Sequence, residues 1–136
     1  MDATGSRLFP GRWNTATAPV LYTARHYSLA MLEKLAHGAG RLPPNQHFTA
    51  ITLPRGLSYE TFDPAALPGW DRPDQRETRR FGATWQKSGR SAVLLVPSLL
   101  ARMEENVLLN PEHPEFVQIE TALPRPVWWD KRLFSR

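Results

Sequence analysis

The chain has 136 residues, 41% of them hydrophobic and five of them tryptophan, which suits one domain with a genuine core and leaves little room for a second. Cysteine is absent, which excludes disulfides, thiolate metal sites and a cysteine nucleophile together. The formal charge of +4 comes mainly from arginine, whose fork pairs with phosphates and carboxylates, so an anionic ligand or acidic partner is expected and charge alone does not exclude nucleic acid.

The start, Met1-Asp2-Ala3-Thr4-Gly5-Ser6, is polar with no apolar run behind it, so no signal peptide is read. Arg7-Leu8-Phe9-Pro10-Gly11-Arg12-Trp13-Asn14 follows at once, an information-rich segment close to the N-terminus, and a further strand upstream is expected in a longer precursor or homologue. Val20-Leu21-Tyr22-Thr23-Ala24 reads as a short strand entered from Pro19. Tyr27 to Ala39 reads as a helix with Leu29, Leu32, Leu35 and Ala36 on one face, Gly38 and Gly40 near its end, and Pro43-Pro44 as a stop. His47 to Leu53 reads as a strand ending at Pro54, and residues 56 to 70 as turns. Asp71 to Lys87 reads as a charged helix starting around Pro73. Ala92 to Val96 is the strongest strand, buried on both faces, too short to span a bilayer, and followed by Pro97-Ser98. Glu104 to Pro114 reads as a tight loop set by Asn110-Pro111 and His113-Pro114, Phe116 to Thr121 as a strand, and Val127-Trp128-Trp129 as packed against the body. The class is α+β with short strands outnumbering helices, in a protein expected to be cytoplasmic.

Four places carry chemistry. Gly11-Arg12-Trp13-Asn14 packs a permissive backbone position, a guanidinium, an indole and an amide together; Trp13 would anchor the segment while Arg12 faces a cleft, though a surface loop with a buried tryptophan explains the same residues. Glu33 follows Leu32 at the edge of the helix's apolar face, where a carboxylate is either solvated or placed to hold a sugar hydroxyl. Ser98 sits just past the buried strand, as a turn former or a fixed functional group; without a Gly-x-Ser-x-Gly elbow it is not read as a hydrolase nucleophile. Asn106 and Asn110 read as tying up loop backbone groups, with ligand contact the second option.

Taken in order, these segments resemble the RES domain family, the toxin half of bacterial toxin–antitoxin pairs. The Arg, Glu and Ser of the family's name look like Arg12, Glu33 and Ser98; Val20–Ala24 is similar to its tyrosine-bearing strand, with Tyr22, and Asn106–Phe116 to its asparagine- and proline-rich signature. The resemblance runs from about Arg7 to Ile119 and departs at the start, where family members carry a longer stretch. It implies a single domain over 1–136 with an ADP-ribosyltransferase-like split β-sheet core, NAD⁺ as substrate, no metal, and an Xre-like antitoxin as partner. ADP-ribose would pass to water, phosphate or a protein acceptor, with no membrane association and no direct nucleic-acid contact.

The residue types suit that reaction. Nicotinamide leaves NAD⁺ as a neutral molecule, so no general acid is needed, and one carboxylate beside the 2′-hydroxyl stabilises the oxocarbenium-like ribose. Glu33 takes that role, Arg12 holds a phosphate, Tyr22 stacks on nicotinamide or supports the cleft wall, Ser98 orients Glu33 or the ribose, and Asn110 contacts the dinucleotide. This reading requires Arg12 and Glu33 to border one crevice. The alternative is a basic nucleic-acid-binding module without catalysis, whose best feature is Arg72, Arg76 and Arg80 at four-residue spacing with Arg79 adjacent; Asp71, Asp74 and Glu77 interleave with them and point instead to a self-paired, solvated face.

Overall fold

The computed structural model describes residues 4–8, 10–39, 41 and 44–134. Its centre is a four-stranded sheet in the order β1-β6-β5-β4, built from β1 (Leu21–Ala24), β4 (Tyr59–Thr61), β5 (Val93–Pro97) and β6 (Glu105–Leu109). β6 runs antiparallel to both neighbours, and β4 runs parallel to β5. A parallel pair needs a long crossover, and helix α3 (Arg76–Ser88) supplies it. Two further antiparallel ladders join β2 (His47–Phe48) to β8 (Arg125–Pro126) and β3 (Ile51–Thr52) to β7 (Glu120–Thr121). Helix α1 (Thr4–Leu8) opens the described chain, and α2 (Tyr27–His37) follows β1. The α+β class stands, with the strands divided among three separate sheets.

The two faces of the central sheet bury different cores. Side chains alternate along a strand, and the register sets Tyr22, Leu108 and Leu94 abreast, then Ala24, Asn106 and Val96. That front face carries the aromatic core of Trp13, Phe62, Trp70 and Trp85 around Leu94, Val96 and Leu108. Trp13 meets Phe62 edge-on at 4.7 Å, and Trp85 donates from its indole nitrogen to Ser91 Oγ at 2.8 Å, so the buried ring has its polar atom satisfied. The opposite face gathers Val93, Val107 and Leu109, with Ile51 and Ile119 packed on them from the small ladders.

Several expectations from sequence are corrected. The segment 105–109 is a central strand, not a loop: Val107, Leu108 and Leu109 are buried between two neighbours, and a three-residue apolar run next to Asn110-Pro111 hides that periodicity. Phe116–Thr121 is mostly a 3-10 turn, Pro114–Gln118, with only Glu120 and Thr121 in a strand. His47–Leu53 divides into two strands of two residues, and α3 begins at Arg76, where Asp74 turns the preceding chain by accepting from the Arg76 amide at 3.0 Å. On α2 only Leu29 is buried, while Leu32 is 40% exposed. Trp128 is exposed, so only Val127 and Trp129 lie against the body. Gly40 and Pro43, read as helix-ending residues, lie outside the described residues, as does Phe9. Among the described residues no helix is long and apolar enough to cross a membrane.

Candidate active site

α2 starts two residues after β1 and carries Glu33 over the front face, at the end of the sheet where β5 stops and β6 begins. There Ser98 Oγ donates to Glu33 Oε1 at 2.9 Å, and Asn106 Nδ2 donates to the same oxygen at 3.0 Å. Ser98 is fully buried, and its oxygen accepts the amides of Leu100 and Ala101, each at 3.1 Å. With both lone pairs engaged, its one proton is directed at Glu33. Among the described residues Glu33 Oε2 accepts no hydrogen bond and the carboxylate has no cationic partner. Two neutral donors therefore fix the group without cancelling its charge.

Asn106 is the residue that sequence reasoning missed. It was read as a loop former; it is a strand residue whose side chain lies on the front face beside Val96. The signal available was its place two residues before Leu108 in an apolar run, which puts both on one face of a strand.

The second group surrounds Gly11–Asn14. Trp13 is buried in the aromatic core as expected, and Asn14 is fully buried, accepting from the Gly11 amide at 2.9 Å and donating to the Ser6 and Thr15 carbonyls. Tyr22, on β1, donates its hydroxyl to Asn14 Oδ1 at 2.6 Å and accepts the Trp13 amide at 3.1 Å. Gly11 is required here, since a Cβ would stand 2.7 Å from the Tyr22 hydroxyl oxygen. Tyr22 as a residue is 43% exposed, yet burial around its hydroxyl pushes the phenol up to about 12, against the Trp13 amide and the Arg79 charge. Arg79 clamps the segment from α3, donating to the Gly11 carbonyl at 2.9 Å and the Pro10 carbonyl at 3.1 Å.

Arg12 projects from this segment toward the turn after Trp70. Its Nη1 donates to the carbonyls of Trp70 and Arg72, both at 2.8 Å, and among the described residues Nε and Nη2 make no hydrogen bond. Burial lowers its pKa from the ordinary value, Asp71 opposes that, and Arg102 and Arg79 add to it. Arg102 lies over the Trp70 ring, 5.5 Å from its centroid, and donates to the Leu99 carbonyl, so the loop after Ser98 reaches from the Glu33 group toward the Arg12 group.

Of the residues expected at the site, the structure joins Glu33 to Ser98 and Tyr22 to the segment bearing Arg12. Among the described residues no hydrogen bond or ion pair joins the two groups. A groove of about 930 Å³ is lined by Tyr22, and one of about 370 Å³ by Trp70 and Arg72, but neither is lined by Arg12 or Glu33, so neither is the expected crevice between them. Asn110, read first as tying up loop backbone groups and second as a ligand contact, is buried, donates to the Gln86 carbonyl at 2.9 Å and accepts the Glu112 amide at 3.0 Å. The arginine stripe is broken. Arg72 precedes α3, Arg76 pairs with Asp74 at 2.8 Å, and Arg79 is turned to the Gly11 segment.

The RES domain family model matches residues 1–130. The chain is 36% identical over its whole length to "Prs ADP-ribosylating toxin" of Sphingobium sp., covering 88% of that protein. It is 34% identical to "Toxin Res" of Photorhabdus laumondii over 85% of this chain and 75% of that one, and 33% identical to "Toxin Res" of Pseudomonas putida over 98% and 92%.

Proposed function

Because the chain belongs to the RES domain family, we propose that it is a toxin that consumes NAD⁺ by breaking the bond between ribose C1′ and the nicotinamide nitrogen. The bonding pair leaves with nicotinamide, which departs neutral. An acceptor oxygen then bonds C1′ and loses its proton, giving ADP-ribosylated protein, free ADP-ribose or its phosphorylated form. The printed name of the Sphingobium relative supports the transferase outcome.

One observation carries the reading: Glu33 is held through Oε1 by Ser98 and Asn106 and keeps Oε2 without a partner among the described residues. A carboxylate fixed by neutral donors retains its full charge for a cation that develops only in the transition state, and it needs no reorganisation when that charge appears. Arg12, with unused guanidinium donors, is assigned to the diphosphate, and Tyr22 to the nicotinamide side through its exposed ring. Ser98 is a positioning residue. The partner assigned is an Xre-like antitoxin, in the cytoplasm, and no metal takes part.

The test is incubation of the purified chain with NAD⁺, followed by mass spectrometry of nicotinamide, ADP-ribose and protein. Glu33→Gln can keep both contacts to its carbonyl oxygen and should hold the fold while slowing nicotinamide release by about 10²–10³-fold. An undiminished rate in the folded variant sinks the assignment.

A further inference from the structure

The loop that carries Ser98 and the turn that receives Arg12 meet at one pair of side chains. The loop closes on itself: the Ser98 amide donates to the Glu104 carbonyl at 3.0 Å, and the Glu104 amide donates to the Ala101 carbonyl at 2.8 Å. The Ser98 oxygen also accepts the Leu100 and Ala101 amides, so the loop moves with Ser98, and Ser98 holds Glu33. On the other side Arg12 Nη1 donates to the carbonyls of Trp70 and Arg72, so that turn moves with Arg12. Asp71 stands between those two residues, and its carboxylate accepts Arg102 Nη1 at 2.7 Å. Among the described residues no other hydrogen bond or ion pair joins residues 98–104 to residues 70–72.

An exposed ion pair between two free side chains contributes little, because ordering them offsets the attraction. Arg102 is ordered by other contacts. Its Nε donates to the Leu99 carbonyl at 3.0 Å, and its guanidinium lies over the Trp70 ring, 5.5 Å from the centroid. Trp70 belongs to the aromatic core and Leu99 packs against it, so both anchors are rigid. Asp71 also favours the charge on Arg12 while Arg102 opposes it, so the carboxylate offsets the repulsion between the two guanidiniums. We propose that Asp71 and Arg102 are positioning residues for the reaction: their pair straps the Arg12 turn to the Ser98 loop and fixes the diphosphate end of NAD⁺ relative to Glu33. The inference rests on the roles assigned above to Arg12 and Glu33. A loosened strap leaves Arg12 free to bind substrate but no longer delivers C1′ to the carboxylate at one distance, so the loss falls on kcat.

The experiment measures nicotinamide release from NAD⁺ and amide hydrogen exchange in the purified, nitrogen-labelled chain, for wild type, Asp71→Asn, Arg102→Gln and the double variant. Both side chains are partly exposed, so the variants keep the fold, and protected amides at Val107 and Leu109 verify it. Each single variant should lower kcat about tenfold with a much smaller change in KM. The double variant should be no slower than the worse single one, because either substitution already opens the strap. A purely electrostatic role gives a different pattern: losing the carboxylate lowers KM, losing the guanidinium raises it, and kcat stays put. That pattern overturns the proposal, as do an unchanged kcat in either single variant or losses that multiply in the double one. Exchange reads the strap without activity: the Leu100, Ala101 and Arg72 amides should exchange faster in Arg102→Gln, and unchanged exchange there overturns the proposal. If wild type releases no nicotinamide, the NAD⁺ reading itself fails, and exchange alone then decides whether the strap exists.

Discussion

Asn106, on β6, and Ser98, just past the end of β5, approach the same oxygen of Glu33, at 3.0 Å and 2.9 Å. The pair acts as a rigid seat, because both strands are buried and the Ser98 oxygen is itself held by two amides. Replacing Asn106 by Asp keeps the shape and turns a donor into a second carboxylate against the first. Two such groups do not ionise independently, and the shared site binds a proton at higher pH. The expected result is a kcat for nicotinamide release lower by about 10–100-fold near neutrality, with the acidic limb of the pH profile moved upward. Asn106→Ala should lower kcat without moving that limb. Rates measured across the pH range for the two variants separate a charge effect from loss of a hydrogen bond.

Tyr22→Phe removes the hydroxyl that joins the Trp13 amide to Asn14. Asn14 Oδ1 keeps the Gly11 amide, but the Trp13 amide loses its partner, which costs about 1–3 kcal/mol. The folded phenol titrates at about 12, above its ordinary value, so it stays neutral where the unfolded chain ionises. Its stabilising contribution is therefore complete below about pH 10 and is lost as pH rises from about 10 to about 12. Denaturant melts should show the advantage of wild type over Tyr22→Phe shrinking through that window. A constant difference across it would contradict the enclosed hydroxyl.

Arg12 commits only part of its guanidinium to the fold. Nη1 closes the turn at Trp70 and Arg72, and among the described residues the remaining donors are open. In Arg12→Lys the ammonium can still reach a carbonyl but presents no planar fork to a phosphate. The expected outcome is a melting temperature within a few degrees of wild type and a KM for NAD⁺ raised about 10–100-fold, with a smaller change in kcat. An unchanged KM in steady-state assays removes Arg12 from the binding role.

What the sequence disclosed follows from the range of the interactions involved. β1, α2 and β5 were legible because local periodicity and Pro or Gly boundaries define them. β6 was not, since its Val107–Leu109 core is three residues long and the flanking Asn106 and Asn110 both read as turn residues. The Glu33–Ser98 pairing was foreseen through family resemblance, but Asn106 joins it from 73 residues away, and no local pattern encodes that. Arg12 was read as facing a ligand; its binding to carbonyls 58 and 60 residues distant depends on a turn that sequence did not define. The ladders β2–β8 and β3–β7 are two residues each, below the length at which alternation is visible.

Gly82, in the middle of α3, governs how the Gly11–Asn14 segment docks. A Cβ at Gly82 would collide with the backbone carbonyl of Trp13, an atom that no side-chain rearrangement can move aside. Glycine costs a helix about 1 kcal/mol relative to alanine, so Gly82→Ala raises intrinsic helix propensity while forcing α3 and the Gly11–Asn14 segment apart. That separation strips Arg79 from the Gly11 and Pro10 carbonyls and opens the packing of Trp13 against Phe62 and Phe81. The steric effect should win, with a net loss of about 3 kcal/mol or more by chemical denaturation and a loss of NAD⁺ cleavage in whatever fraction stays folded. If Gly82→Ala is instead more stable than wild type, the close contact between α3 and the arginine segment does not exist in solution.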